Sequence, residues 1–262
     1  MKRAAAGFGA WMVAALVIAC ISASSALAAE PTSSTGSPDA TTPANPPQNF
    51  VDTALSHARG ESRWAFVVRR VIARSMPQND SRRVKRLTTR TPDRTHELVL
   101  TLTERKFDDG SRWVKVRLPM RPNNTTGWVP RSALGAYRVN RTSMVINRKK
   151  FRATLFKNGK AIWFARIGVG KAGTITPRGF FYVRSRLIPS NPSGIYGPFA
   201  FGLSAYSKTL TDWPGGGMIG IHGTNRPRLL PGRVSHGCIR VPNKKIRRLS
   251  KLMPAGTPVQ IR

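Results

Sequence analysis

Between residues 98 and 118 the chain alternates apolar and polar positions. In ELVLTLTER, Leu98, Leu100 and Leu102 alternate with Val and Thr. Asp109-Gly110 then marks a turn, and WVKVRLP sets Val114, Val116 and Leu118 against Trp113, Lys115 and Arg117. A period of two belongs to strands, so the segment predicts a hairpin. The loop RPNNTTG closes it, and GWVP starts another short strand at Trp128. Past residue 140 the pattern continues: SMVIN and FRATLFK read as strands, Asn158-Gly159 predicts a tight hairpin turn, and KAIWFARIGVG returns from it. FFYVRSRL is a further strand after Thr176-Pro177-Arg178-Gly179. Helical spacing appears once, from a cap at Asn243 through KKIRRLSKLM, with Ile246, Leu249 and Leu252 or Met253 on one face. PAGTPVQIR supplies a turn and a last strand. The glycine-rich GVGKAGT lacks the GxxxxGK[ST] spacing of a phosphate-binding loop and reads as an ordinary loop.

The expected fold is therefore mainly all-β, with one short helix and two parts. Residues 60–137, with their W-x-x-V and G-W-V rhythm, resemble a small SH3-like barrel, and residues 138–262 form a second β domain. The first 28 residues have a different layout. Two basic residues precede an apolar run that ends in small residues, the layout of a secretory signal peptide. Ala26-Leu27-Ala28 is a cleavage site of the A-x-A type, whereas Val17-Ile18-Ala19-Cys20 would serve as a lipoprotein signal that leaves a lipidated Cys20 at the new N-terminus. Residues 29–59, rich in Pro, Ser and Thr, carry too little apolar content to fold and are expected to be a disordered linker. Export to the cell envelope, outside the cytoplasmic membrane, follows from this layout.

Charge adds a second constraint. The 262 residues hold 44 Lys and Arg against 11 Asp and Glu, a net charge of +33. From Arg138 onward Asp212 is the only acid. Such a field favours a polyanionic environment. For an exported protein, anionic envelope polymers are the expected partners rather than nucleic acid, and a membrane is met only through a lipid on Cys20.

Removal of the signal segment leaves one thiol, Cys238, in RVSHGCIRV, and an unpaired thiol outside the cytoplasm calls for a reason. His236 is two residues before it, Arg240 two after, and His222 sits at the end of the apolar MIGI run. A cysteine attacks a carbonyl as thiolate, and at its ordinary pKa of about 8.5 only a few per cent is ionised near neutral pH. An imidazole can help in two ways, as a cation that stabilises the thiolate or as a neutral base that takes the proton. The four histidines, His57, His96, His222 and His236, show no metal-ligand spacing with acids or thiols, and neither a metal nor a cofactor is expected.

IHGTNRP followed by VSHGCIRV resembles the signature of the L,D-transpeptidases, the YkuD-type domain that cross-links bacterial peptidoglycan. The likeness extends from about residue 141 to 262 and includes the Thr-Pro-x-Gly segment, NPSGIYGPFAFGLS and a closing GTPVQI strand. It implies a β-sandwich catalytic domain with Cys238 as nucleophile, His222 as general base and acid, and the Gly223 carbonyl orienting that imidazole. It also implies an oxyanion hole from the backbone N–H groups of Gly237 and Cys238, with His236 supporting the pocket. Arg240 suits a substrate carboxylate, and Ser235 reads as a turn residue that also touches substrate. The implied substrates are peptidoglycan stem peptides, joined by 3→3 cross-links through a thioester. An L,D-carboxypeptidase, with water as acceptor, and a catalytically inert wall-binding protein are the alternatives.

Overall fold

The computed structural model describes residues 49–57, 60–212 and 215–262. The expected signal segment, Cys20 and the first part of the expected linker lie outside these residues. Eight strands, β1 (Phe50–Ala54), β2 (Ser62–Phe66), β3 (Val71–Arg74), β4 (Arg83–Leu87), β5 (Leu98–Phe107), β6 (Arg112–Arg117), β7 (Thr126–Pro130) and β8 (Arg138–Asn140), build a first, antiparallel sheet. Its order is β4-β3-β7-β6-β5-β2-β8, and β1 pairs with the far half of β5. Two boundaries differ from expectation. The linker ends before residue 59, because FVDTA pairs with β5 and Arg105 holds Asp52 through two hydrogen bonds of 2.8 and 2.7 Å. Arg138–Asn140 belongs to the first sheet rather than to the second domain, since it pairs with Ser62–Trp64.

The second sheet is mixed and ten-stranded. It comprises β9 (Thr142–Asn147), β10 (Arg152–Lys157), β11 (Lys160–Arg166), β12 (Gly168–Gly170), β13 (Gly179–Leu187), β14 (Ala200–Tyr206), β15 (Met218–His222), β16 (Gly232–Ser235), β17 (Ile239–Arg240) and β18 (Pro258–Ile261), in the order β11-β10-β9-β18-β13-β14-β15-β17-β12-β16. Asn158 and Gly159 both take positive φ (49° and 77°) between β10 and β11, as a type I′ turn requires. The one α-helix among the described residues, α1 (Asn243–Leu252), lies between β17 and β18 and buries Ile246 and Leu249, with Met253 just beyond it, in the core of this sheet with Ile221, Ile239 and Phe201. Its N-cap is Pro242 without a side-chain cap bond, so Asn243 does not cap the helix as its sequence position suggests.

The two sheets belong to one unit and share a seam. Trp64, Leu98 and Leu100 of the first pack on Tyr182 of the second, which is why the start of β5 is buried on both faces. Polar bonds reinforce the seam. Arg184 of β13 holds Glu97 bidentately through Nε (2.8 Å) and a terminal guanidinium nitrogen. Asn123 donates to the Tyr206 carbonyl and accepts from its N–H (2.7 and 2.9 Å). Arg121 donates to the carbonyls of Ser207, Leu210 and Gly216. The first sheet thus grips the segment around residues 206–217, which walls the cleft described next.

Candidate active site

His222 ends β15, and Arg240 lies opposite it on the parallel strand β17. This pairing brings IHGT and SHGCIR together across the intervening loop. A cleft of about 700 Å³ opens over the junction, lined by His222, Cys238, Arg240, His236 and Tyr196 among others.

The histidine is held from several sides. It is 4 % exposed, and its Nδ1 lies 2.6 Å from the Gly223 carbonyl. A carbonyl can only accept, so Nδ1 carries the proton and Nε2 is left bare. Gly223 fits where a larger residue would not, because a Cβ there would lie 2.5 Å from Asn243 Oδ1 and 2.9 Å from the Gly197 Cα. Asn243 uses that same oxygen to accept the Thr224 N–H at 2.8 Å. The residue expected to cap a helix instead fixes the segment after the histidine. Tyr196 sets its ring edge to face against the imidazole, centroids 5.0 Å apart. Burial holds the His222 pKa down to about 4 against an ordinary 6.5, with the Gly223 bond opposing and the Arg240 cation assisting.

Cys238 is a partly exposed free thiol whose Sγ accepts the Gly220 N–H at 3.3 Å. Enclosure in the cleft pushes its pKa above the ordinary value, with the Gly220 bond and Arg240 opposing. A neutral thiol and a neutral imidazole therefore face the cleft near pH 7. Of the two kinds of help open at the sequence level, a resting cation beside a thiolate is disfavoured, and a base that takes the proton during attack is favoured.

The loop before Cys238 is tightly braced. Ser235 Oγ donates to the Cys238 carbonyl at 2.5 Å and accepts the Gly237 N–H at 3.1 Å. Two expectations change as a result. Gly237 cannot offer its N–H to an oxyanion while Ser235 holds it, and the Ser235 hydroxyl is spent within the loop rather than on a ligand. Gly237 is needed for its backbone, at φ +117°, a region that a side chain would strain. Thr176 fixes the same turn from below: its hydroxyl accepts the Gly170 N–H (2.8 Å) and donates to the Gly237 carbonyl (2.7 Å). Arg240 is half-buried, and its Nε is enclosed without a hydrogen-bond partner. His236 is exposed at the cleft rim. Among the described residues no three His, Cys, Asp or Glu side chains are grouped to hold a metal ion.

The model of the L,D-transpeptidase catalytic domain family, YkuD, matches residues 141–261. Over these residues the chain is similar to the YkuD-type L,D-transpeptidase catalytic domain. Among curated proteins the chain is similar to YkuD of Bacillus subtilis, named as an L,D-transpeptidase, at 38 % identity over 108 residues, 41 % of this chain and 58 % of that one. A Bacillus licheniformis protein of the same name is 34 % identical over 121 residues, 46 % of this chain and 64 % of that one. The chain thus spans less than two thirds of either relative. Among solved structures it is similar to the catalytic domain of the Enterococcus faecium L,D-transpeptidase, with 26 % identity, a TM-score of 0.35 and coverage of 46 % and 96 % of the two chains. L,D-transpeptidase 3 of Mycobacterium tuberculosis gives 13 %, 0.38, and 58 % and 91 %. The structure brings the expected Cys238 and His222 to one cleft and Gly223 against the His222 ring, whereas the contacts of Tyr196, Thr176 and Asn243 were not expected. The Thr-Pro-x-Gly segment was visible; the bonds that its threonine makes were not.

Proposed function

We propose that this protein is an exported peptidoglycan L,D-transpeptidase that joins stem peptides through a thioester on Cys238. Cys238 Sγ attacks the carbonyl of the third, diamino residue of a stem tetrapeptide, and His222 Nε2 takes the thiol proton. As the tetrahedral intermediate collapses, the carbon–nitrogen bond to the terminal D-alanine breaks, and the imidazolium returns its proton to the departing amine. The side-chain amine of a second stem then attacks the thioester and loses a proton to His222, and Cys238 leaves and is reprotonated. The 3→3 amide replaces the bond that was broken, so no nucleotide is consumed.

The observation that carries this reading is the His222–Gly223 contact, which leaves Nε2 unprotonated in the same cleft as the only thiol among the described residues. With the Gly237 N–H engaged by Ser235, the backbone N–H of Cys238 is assigned to the oxyanion, and Arg240 adds positive charge at that end. His236, exposed at the rim, borders the substrate path. The basic surface suits an anionic envelope. Incubation of the mature protein with a synthetic stem tetrapeptide tests the proposal: the expected result is a Cys238 adduct equal to the tetrapeptide less D-alanine, followed by a cross-linked dimer. An unmodified Cys238 with no D-alanine released contradicts it.

A further inference from the structure

The cleft has a second end, built by the other sheet. Register partners run across the floor from Ser185 on β13 to Gly202 on β14 and Gly220 on β15. The Gly220 N–H then meets Cys238 Sγ. Gly202 and Gly220 add no side chains to this floor, and the Ser185 hydroxyl and the Met218 side chain lie over Gly202. Two strand spacings of ~4.8 Å and the 3.3 Å contact from Gly220 to Cys238 Sγ put the thiol ~13 Å from Ser185.

Asp93 stands at the far end. Its carboxylate lines the cleft, and Oδ2 accepts the Ser185 hydroxyl at 3.3 Å. The turn that carries it is fixed: Thr91 N–H donates to the Thr95 carbonyl and Arg94 N–H to the Thr91 carbonyl, both at 2.9 Å. Glu97 just after this turn grips Arg184, the neighbour of Ser185. The other charged or ionisable side chains lining the cleft are Tyr196, His222, His236, Cys238 and Arg240, so Asp93 is its only carboxylate among the described residues. In a chain of net charge +33 it forms no ion pair among those residues. The cleft is thus polarised, with a guanidinium beside the thiol and a carboxylate across the floor.

We infer that Asp93, supplied by the first sheet, is a subsite for the side-chain ammonium of the donor's diamino residue. This rests on the transpeptidase reading above and names the substrate group read at the far end of the same site. The lengths agree. From the attacked carbonyl carbon to a terminal side-chain nitrogen are six bonds, ~7.5 Å when extended. Adding ~3 Å for the approach of sulfur and ~3 Å for the ammonium–carboxylate bond gives ~13.5 Å, the scale of the ~13 Å between the thiol and Ser185, whose hydroxyl holds Asp93. Arg240 repels the ammonium from the thiol end and so favours this direction. The first sheet is then part of the recognition site, which explains why it grips β13 and the cleft wall so closely.

The test compares two synthetic donors, a stem tetrapeptide with a diamino third residue and the same peptide with norleucine there, on the wild type and on Asp93→Asn. Thioester formation on Cys238 is read by mass, and iodoacetamide alkylation of Cys238 with the melting temperature reports that thiol and fold are intact. The wild type is expected to prefer the diamino donor by about 10- to 100-fold in kcat/KM, the size of a charge-assisted hydrogen bond, and Asp93→Asn to lose that preference through KM. Equal preference in wild type and variant overturns the inference and leaves the transpeptidase reading standing. No thioester on wild-type Cys238 from either donor overturns both.

Discussion

Two sets of enclosed polar groups in this molecule behave in opposite ways. At the seam, Glu97 and Arg184 are 2 % and 5 % exposed and form an ion pair, in which a planar guanidinium meets a carboxylate with two parallel hydrogen bonds and Tyr206 adds a third bond at 3.1 Å. That partnership raises the Arg184 pKa in spite of burial. At the cleft, His222 and Cys238 are also enclosed, yet burial wins, lowering one pKa and raising the other. Enclosure penalises charge in both places; what differs is the number of bonds made to the charged form. His222 has one carbonyl, satisfied equally by a neutral imidazole, and Cys238 has one long N–H contact. The seam therefore holds a permanent charge pair, whereas the cleft keeps its reagents neutral until substrate arrives.

Substitutions can break each side of this contrast. Cys238→Ala is expected to have the largest effect, lowering D-alanine release by about 10⁴-fold or more, with the melting temperature little changed. His222→Ala should lower kcat by about 10²- to 10⁴-fold, the usual contribution of a general base. On the seam, Glu97→Ala should cost ~3–5 kcal/mol in urea unfolding by stranding a buried guanidinium, and replacing Arg184 by Met as well should recover most of the loss. The smallest effect is expected from Thr176→Val, which removes both the acceptor for Gly170 and the donor to Gly237. Stability should fall by ~1–3 kcal/mol and kcat should fall with it, while KM is unchanged.

The strands and the two catalytic candidates were legible because their signals are local: period-two alternation, an Asn-Gly turn, and two short motifs around His222 and Cys238. What escaped depends on contacts that no local pattern carries. Asn243 looks like a cap because it precedes a helical run, but its oxygen is claimed by the Thr224 N–H across the fold. Gly237 looks like an oxyanion donor because glycine permits close approach, yet Ser235 reaches its N–H first. FVDTA follows a Pro-rich stretch and reads as linker, and only its ladder to β5 makes it a strand. Asp93 sits in an ordinary polar turn and gains meaning only from the sheet beneath it.

The account stands on Cys238 remaining protonated at rest and giving up its proton only on attack. The direct measurement is the rate of iodoacetamide alkylation of Cys238 against pH, followed by peptide mass. An imidazole with a pKa of about 4 is already neutral above that pH, and a thiol raised above its ordinary value stays protonated through neutrality. The rate should therefore climb about tenfold per pH unit from near pH 5 to beyond pH 9, with no plateau between. A fast, flat rate from pH 5 through neutrality would mean a standing thiolate–imidazolium pair and would contradict the account.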